Sequence, residues 1–254
     1  MSSGDFTALL RLPVIGKLDR MNEIGQSLAL SAQLVASADP ALLRIAALSL
    51  EVSGVAVIIA STAALPVGAW LAMERFPGRN ALIAVLNAMM GLPPVVVGLA
   101  VYLLLSRAGP LGALGLLFTP PAMIVAQTLL IFPIVAALAR QVIEDAWREY
   151  REQLVSLNAS RAQCVAALLW DLRFTLLTAI LAGFGRAIAE VGAVMIVGGN
   201  IDGVTRVMTT AIALETSKGD LPLALALGTL LIAMVIVVNA LAQWLKSHAM
   251  RRHG

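Results

Sequence analysis

Four stretches of this chain run for more than twenty residues without an Asp, Glu, Lys or Arg. They are Val52–Met73, Ala81–Ser106, Ala108–Ala139 and Leu221–Leu245. A helix that crosses a bilayer needs about 20 mostly apolar residues, so each run is long enough to span. The chain as a whole carries 13% charged residues and a mean hydropathy of +0.89; soluble domains carry about 25% charged residues. In lipid the backbone must satisfy its own hydrogen bonds, which leaves helices or a closed barrel. The period-2 alternation of a barrel strand is absent. The expectation is an all-α, polytopic membrane protein.

Within those runs the spans are read as Val52–Met73, Ala81–Ser106, Leu117–Ala139 and Leu221–Leu245. A fifth, Phe174–Ile201, is long enough but holds Arg186 and Glu190. Residues 1–44 read as an N-terminal extension. Its first 23 residues hold six charges and no apolar core of the signal-peptide kind. Within it, Ile24–Ala38 is uncharged but only 15 residues long. That segment either lies at the interface, re-enters, or adds a sixth crossing, and the sequence leaves the choice open. Residues 45–250 form the membrane domain.

The window Arg140–Arg173 departs from this pattern. It holds ten of the 33 charged residues, five Arg against five Asp or Glu. With this insert on the cytoplasmic side, ten Lys and Arg of the loops lie inside and three lie outside. The positive-inside bias therefore places the insert and the C-terminus in the cytoplasm. Ile143, Ala146, Trp147, Tyr150, Leu154 and Leu157 form one helical stripe. A second stripe starts at Ala162, Val165, Ala166 and Leu169. Two amphipathic helices are expected to meet at Leu157–Ser160, with Asn158 left-handed and Ser160 as the following N-cap. Such an insert either lies on the bilayer or docks in a groove on a cytosolic protein; its mixed charge suits a protein groove better than an anionic membrane.

Other residues invite a role inside the membrane. Pro93 and Pro94 stand in the span 81–106, where they either kink a packed helix or open a broken helix beside a path. Arg186 and Glu190, four apart, either pair with one another or face water along that path. Asn200, Thr205, Arg206, Thr209 and Thr210 follow as donors for an anion or as ordinary solvated groups. A single cysteine, Cys164, and two histidines in the C-terminal tail argue against a resident metal, a cofactor or histidine-based catalysis. No P-loop motif G-x-x-x-x-G-K-[ST] occurs.

The stretch "EQLVSLNAS" (152–160) resembles the E-A-A-x-x-x-G coupling segment of ABC importer permeases. Glu152 matches the Glu, Gln153 and Leu154 replace the alanines, and Asn158 replaces the Gly. Leu157, Ala159 and Ser160 keep the Leu-x-Ala-Ser frame. The Leu-Pro that usually follows is replaced by "LWDLRF" (169–174). The wider stretches "RFPGR" (75–79), "LNAMMGLPPVVVGLAVYLLLSRAGPLGALGLLFTPPAMIVAQTLL" (86–130) and "GFGRAIAEVGAVMIVGGNIDGVTRVMTTAIALETSKGDLPLALALG" (183–228) resemble the permeases of tungstate ABC importers, with molybdate permeases close by. The resemblance covers roughly residues 45–245 and implies a five-span, MetI-like type I permease core in the inner membrane. It also implies a homodimer with the anion path on its axis, and two cytosolic ATPase subunits docked on the coupling helices. An extracytoplasmic oxyanion-binding protein would deliver the anion. Glu152, Leu154, Leu157, Asn158, Ala159 and Ser160 would then transmit the ATPase's work. Lipid surrounds such a protein, and no nucleic acid is involved. A self-sufficient secondary transporter or channel is the rival reading. It would want coupling carboxylates or inverted repeats, and neither stands out.

Overall fold

A computed structural model of the chain describes residues 39–253 and a few positions between 29 and 37. Most of the segment 24–38 and of the N-terminal extension thus lies outside the described residues. Asp39 caps the first helix, α1 (Pro40–Met73), through its carboxylate, which accepts the Ala41 N–H at 2.7 Å. Pro40 at the first helical position is already set for the helix. This helix therefore begins before residue 45, inside the stretch read as extension.

The second expected span is not one helix. It divides into α2 (Arg79–Met90) and α3 (Pro94–Leu105), which meet at 100°. The sequence "GLPP" explains the break. Pro93 and Pro94 lack N–H groups, so residues before them cannot complete helical hydrogen bonds. The helix α4 runs from Pro120 to Ser156 without interruption. It contains the third span from Pro120 onward and the first stripe of the polar insert as far as Leu154. The insert thus adds only one separate helix, α5 (Arg161–Asp171), joined to α6 (Arg173–Ile188) at a 76° bend. The expected span Phe174–Ile201 is also divided, into α6 and a short α7 (Gly192–Gly198). Beyond it stand α8 (Met208–Lys218) and α9 (Leu221–His253). Among the described residues three helices are long and apolar enough to cross a membrane, and up to five spans result if each bent pair counts as one.

The centre is α1 lying along α4. Ala56, Ala60 and Ala64 of α1 and Ala136 and Ala137 of α4 belong to one buried cluster. Small residues let membrane helices approach closely. At Gly68 the fit is tightest, since an added Cβ would stand 2.7 Å from the Ala136 carbonyl oxygen. Three more buried groups continue the core: one along α3, α4 and α7, one beneath the polar insert, and a small one joining α1, α8 and α9. By contrast α9 is mostly exposed, as a helix facing lipid or another subunit would be.

The coupling turn and the intramembrane break

At the end of α4 the chain forms a Schellman turn. The Asn158 N–H donates to the Val155 carbonyl at 2.9 Å, and the Ala159 N–H to the Leu154 carbonyl at 3.2 Å. Asn158 has φ 53°, the left-handed conformation expected of it. Ser160 then caps α5. Its hydroxyl accepts the Gln163 N–H at 3.4 Å, while the Gln163 side chain accepts the Ser160 N–H at 2.8 Å.

The six coupling residues do not share one environment. Leu154 and Ala159 pack inward against the cluster of Ile143, Trp147, Cys164 and Leu168. Leu157, expected to close the inward stripe, is instead 77% exposed, and Val155 beside it is 61% exposed. The helix ends at Ser156, so the stripe's angular register no longer applies to Leu157. Glu152, Asn158 and Ser160 are exposed with it. In α5 the buried residues are Cys164 and Leu168, one step round from the expected stripe, and Ala162 and Ala166 face outward.

The second site is the gap between α6 and α7. Arg186 and Glu190 pair at 3.3 Å, but across the end of a helix that stops at Ile188 rather than along one helix face. Glu190 is 5% exposed, and its other carboxylate oxygen accepts the Ala193 N–H at 3.1 Å. A break frees backbone carbonyls that cost free energy if left bare in the membrane. Two distant side chains serve them here. Gln127 of α4 donates to the Ala187 carbonyl at 3.0 Å, and Thr209 of α8 donates to the Glu190 carbonyl at 2.8 Å. A cavity of about 10 Å³ remains, edged by Ser49, Ser53, Gln127, Glu190 and Thr209.

The residues that follow Pro93 and Pro94 meet this gap from the other side. An added Cβ on Gly192 would come within 2.8 Å of Val95, and one on Gly98 within 2.7 Å of the Ala193 Cα. The two helix breaks therefore pack against one another. Asn200 stands at the far end of α7 and donates to the Thr210 carbonyl at 3.3 Å. Thr205 and Thr210 are fully buried, and their hydroxyls donate to the carbonyls of Gly198 and Val207. Arg206 pairs with Asp202 at 3.1 Å. These donors are engaged within the chain. Gln127 and Ser49, whose hydroxyl accepts the Met208 N–H at 2.8 Å, escaped the sequence reading. Their only signal was a lone polar residue in an apolar run.

Residues 64–252 match the family described as the binding-protein-dependent transport system inner membrane component. The chain belongs to this family. It is accordingly a multi-pass permease subunit of the ABC importer class, with the MetI-like all-α fold. Among its relatives, the tungstate uptake system permease protein TupB of Peptoclostridium acidaminophilum is 40% identical over 220 residues, 87% of this chain and 96% of that protein. A probable anion ABC transporter permease protein of Haloferax volcanii is 38% identical over 84% of this chain and 94% of its own length. TupB of Campylobacter jejuni is 41% identical over 64% of this chain and 68% of that one. Family members named for sulfate and molybdenum transport match at lower identity, 30% and 28%.

Proposed function

We propose that this chain is the permease of an ATP-driven tungstate importer. One observation carries the choice of anion: identity of about 40% to a tungstate uptake permease over almost all of that protein's length, against 30% or less for sulfate and molybdenum relatives. In this reading residues 45–250 form the permease domain, and two copies enclose the path. An extracytoplasmic binding protein delivers the anion, and two cytosolic ATPase subunits engage the segment 140–173. The C-terminus lies in the cytoplasm. The exposed apolar tip at Val155 and Leu157, beside Glu152, supports the docking role, because an apolar anchor in a partner's groove is what a helix-in-groove contact needs. Energy enters at that tip, and the meeting breaks at Pro93–Pro94 and Ala189–Val191 are where the path would open and close. Arg186, 38% exposed beside the buried Glu190, is the cation best placed to meet a passing dianion. Asn200 and Thr209 hold the backbone around it.

The test is reconstitution in liposomes with the ATPase and the binding protein, reading accumulated metal by mass spectrometry. ATP-dependent accumulation of tungsten is expected. Accumulation of molybdate or sulfate without tungstate would overturn the choice of anion. Uptake by the chain alone, without ATPase, would replace the importer reading with a secondary transporter.

A further inference from the structure

The hollow at the inner break is edged by oxygen-bearing side chains from four parts of the fold. Ser49 and Ser53 come from α1, Gln127 from α4, Thr209 from α8 and Glu190 from the break itself. All five are buried, none more than 9% exposed. Most of their donors are engaged elsewhere. The Ser49 hydroxyl donates to the Ile45 carbonyl at 2.8 Å, and the Thr209 hydroxyl to the Glu190 carbonyl at 2.8 Å. The Gln127 amide is oriented by its bond to the Ala187 carbonyl, which makes Nε2 the donor and leaves Oε1 free. That oxygen is buried and has no partner among the described residues. The Ser53 hydroxyl has none among them either. A buried carbonyl oxygen without a partner is costly. The hollow thus gathers spare lone pairs and a carboxylate, with Ser53 as its one free donor. Such a wall suits a cation.

Charge and size narrow the choice. The hollow touches Ala187 and Ile188, the last residues of α6. A helix carries partial negative charge at its C-terminal end, and in broken membrane helices such ends and their freed carbonyls coordinate sodium. Arg186 already balances Glu190. A monovalent cation therefore leaves a single net positive charge, which the end of α6 offsets in part; a divalent cation would leave twice that. Among the described residues no three acidic, histidine or cysteine side chains gather to hold a divalent metal. At about 10 Å³ the hollow is at the lower limit for a water molecule, so an ion smaller than water fits it better. We propose that the hollow binds one sodium ion, with Gln127 Oε1, the hydroxyls of Ser49 and Ser53 and the Glu190 carboxylate as its ligands. Under the gating role proposed above, opening the break would part these ligands, so sodium favours the closed arrangement. The binding itself rests on the packing of the break and not on which anion is transported.

The experiment uses the full-length chain alone in detergent micelles, with choline chloride holding the ionic strength. Equilibrium binding of radioactive sodium is read by scintillation proximity. One saturable ion per chain is expected, competed by unlabelled NaCl and less well by KCl. The thermal midpoint should rise by about 3–6 °C once sodium reaches about ten times its dissociation constant. Ser53→Ala removes no hydrogen bond within the chain. It should weaken sodium binding by about tenfold without lowering the midpoint in choline chloride. Gln127→Leu should abolish binding. Ser61→Ala, at another buried α1 serine without a partner but outside the hollow, should bind sodium as the wild type does. Absence of saturable binding, with equal midpoints in sodium and choline chloride, would overturn the proposal and make the hollow a water site. Equal competition by KCl would overturn the choice of sodium. Binding that survives both Ser53→Ala and Gln127→Leu unchanged would put the ion elsewhere and overturn the site. Failed tungstate uptake with intact sodium binding would sink the transport reading and leave this one standing.

Discussion

The chain interrupts its helices at Leu157–Ser160 and at Ala189–Val191, and the two breaks are mended by opposite means. At the first, every bond is local: Asn158 and Ala159 donate back into the last turn of α4, and Ser160 and Gln163 cap each other. At the second, the Ala187 carbonyl keeps a local bond from the Glu190 N–H at 3.1 Å, but Gln127 and Thr209, 60 and 19 residues away in sequence, also serve the carbonyls of Ala187 and Glu190. Water explains the difference. A break outside the membrane can leave groups to solvent, so short-range caps suffice. A break inside must find partners from packed neighbours. The outer turn can therefore move as a unit, while the inner one is tied to α4 and α8 and responds to their positions.

Substitutions at Leu157, Thr209, Asn158 and Ser160 can break or sharpen this contrast. Leu157→Asp has the largest effect expected. In the assembled transporter, tungstate-stimulated ATP hydrolysis should fall by about tenfold or more, as for a lost interface anchor, while stability changes by less than about 0.5 kcal/mol because the side chain is exposed. Wild-type stimulation would falsify the coupling role of the tip. Ala159→Asp is a poorer probe, since Ala159 packs inward and a charge there would disturb the fold itself. Next comes Thr209→Val, which keeps the shape but strips the donor from the Glu190 carbonyl. A loss of about 1–3 kcal/mol is expected in denaturant unfolding in micelles, and no loss would mean that the inner break does not depend on α8.

Asn158→Val should cost about 1–2 kcal/mol, because a side chain branched at Cβ resists the left-handed conformation. Asn158→Gly should restore wild-type behaviour, and if both variants match the wild type, the turn is free to adopt another form. The smallest effect is expected from Ser160→Ala, about 1 kcal/mol. It should appear as faster amide exchange confined to the first turn of α5. Exchange that spreads into α6 would show that the outer turn is less local than its bonds suggest.

The sequence carried the outer turn well and the inner one poorly, for the same reason. Asn158 and Ser160 act on residues next to them, so their conformation and capping could be read from neighbours. The stripe Ile143–Leu154 could be read from its helical period, yet the period could not tell that α4 would run on from Pro120 as one helix. Leu157 fell off the stripe because helical register ends where the helix does. Within the membrane, "GLPP" warned of a kink, but its 100° depends on packing against α7 through Gly98 and Gly192. Arg186 and Glu190, read as either a pair or a lining of the path, do pair, although the spacing of four hid a helix end between them. Gln127 could not have been assigned at all. Its partner, the Ala187 carbonyl, lies 60 residues away at a helix end, and that meeting is a property of the fold.

The unbroken length of α4 has a mechanical consequence. Its 37 residues make a rod of about 55 Å, nearly twice the roughly 30 Å of a bilayer's hydrocarbon core. Pro133 stands within it, buried, and costs it one hydrogen bond near the middle. Gln127 lies on one side of that proline and the exposed tip on the other. A rod seated in a membrane and loaded at one end behaves as a lever, and Pro133 is its natural fulcrum. Under the proposed docking, a pull at Leu157 would arrive at Ala187 as a change in angle rather than as a chain of local rearrangements.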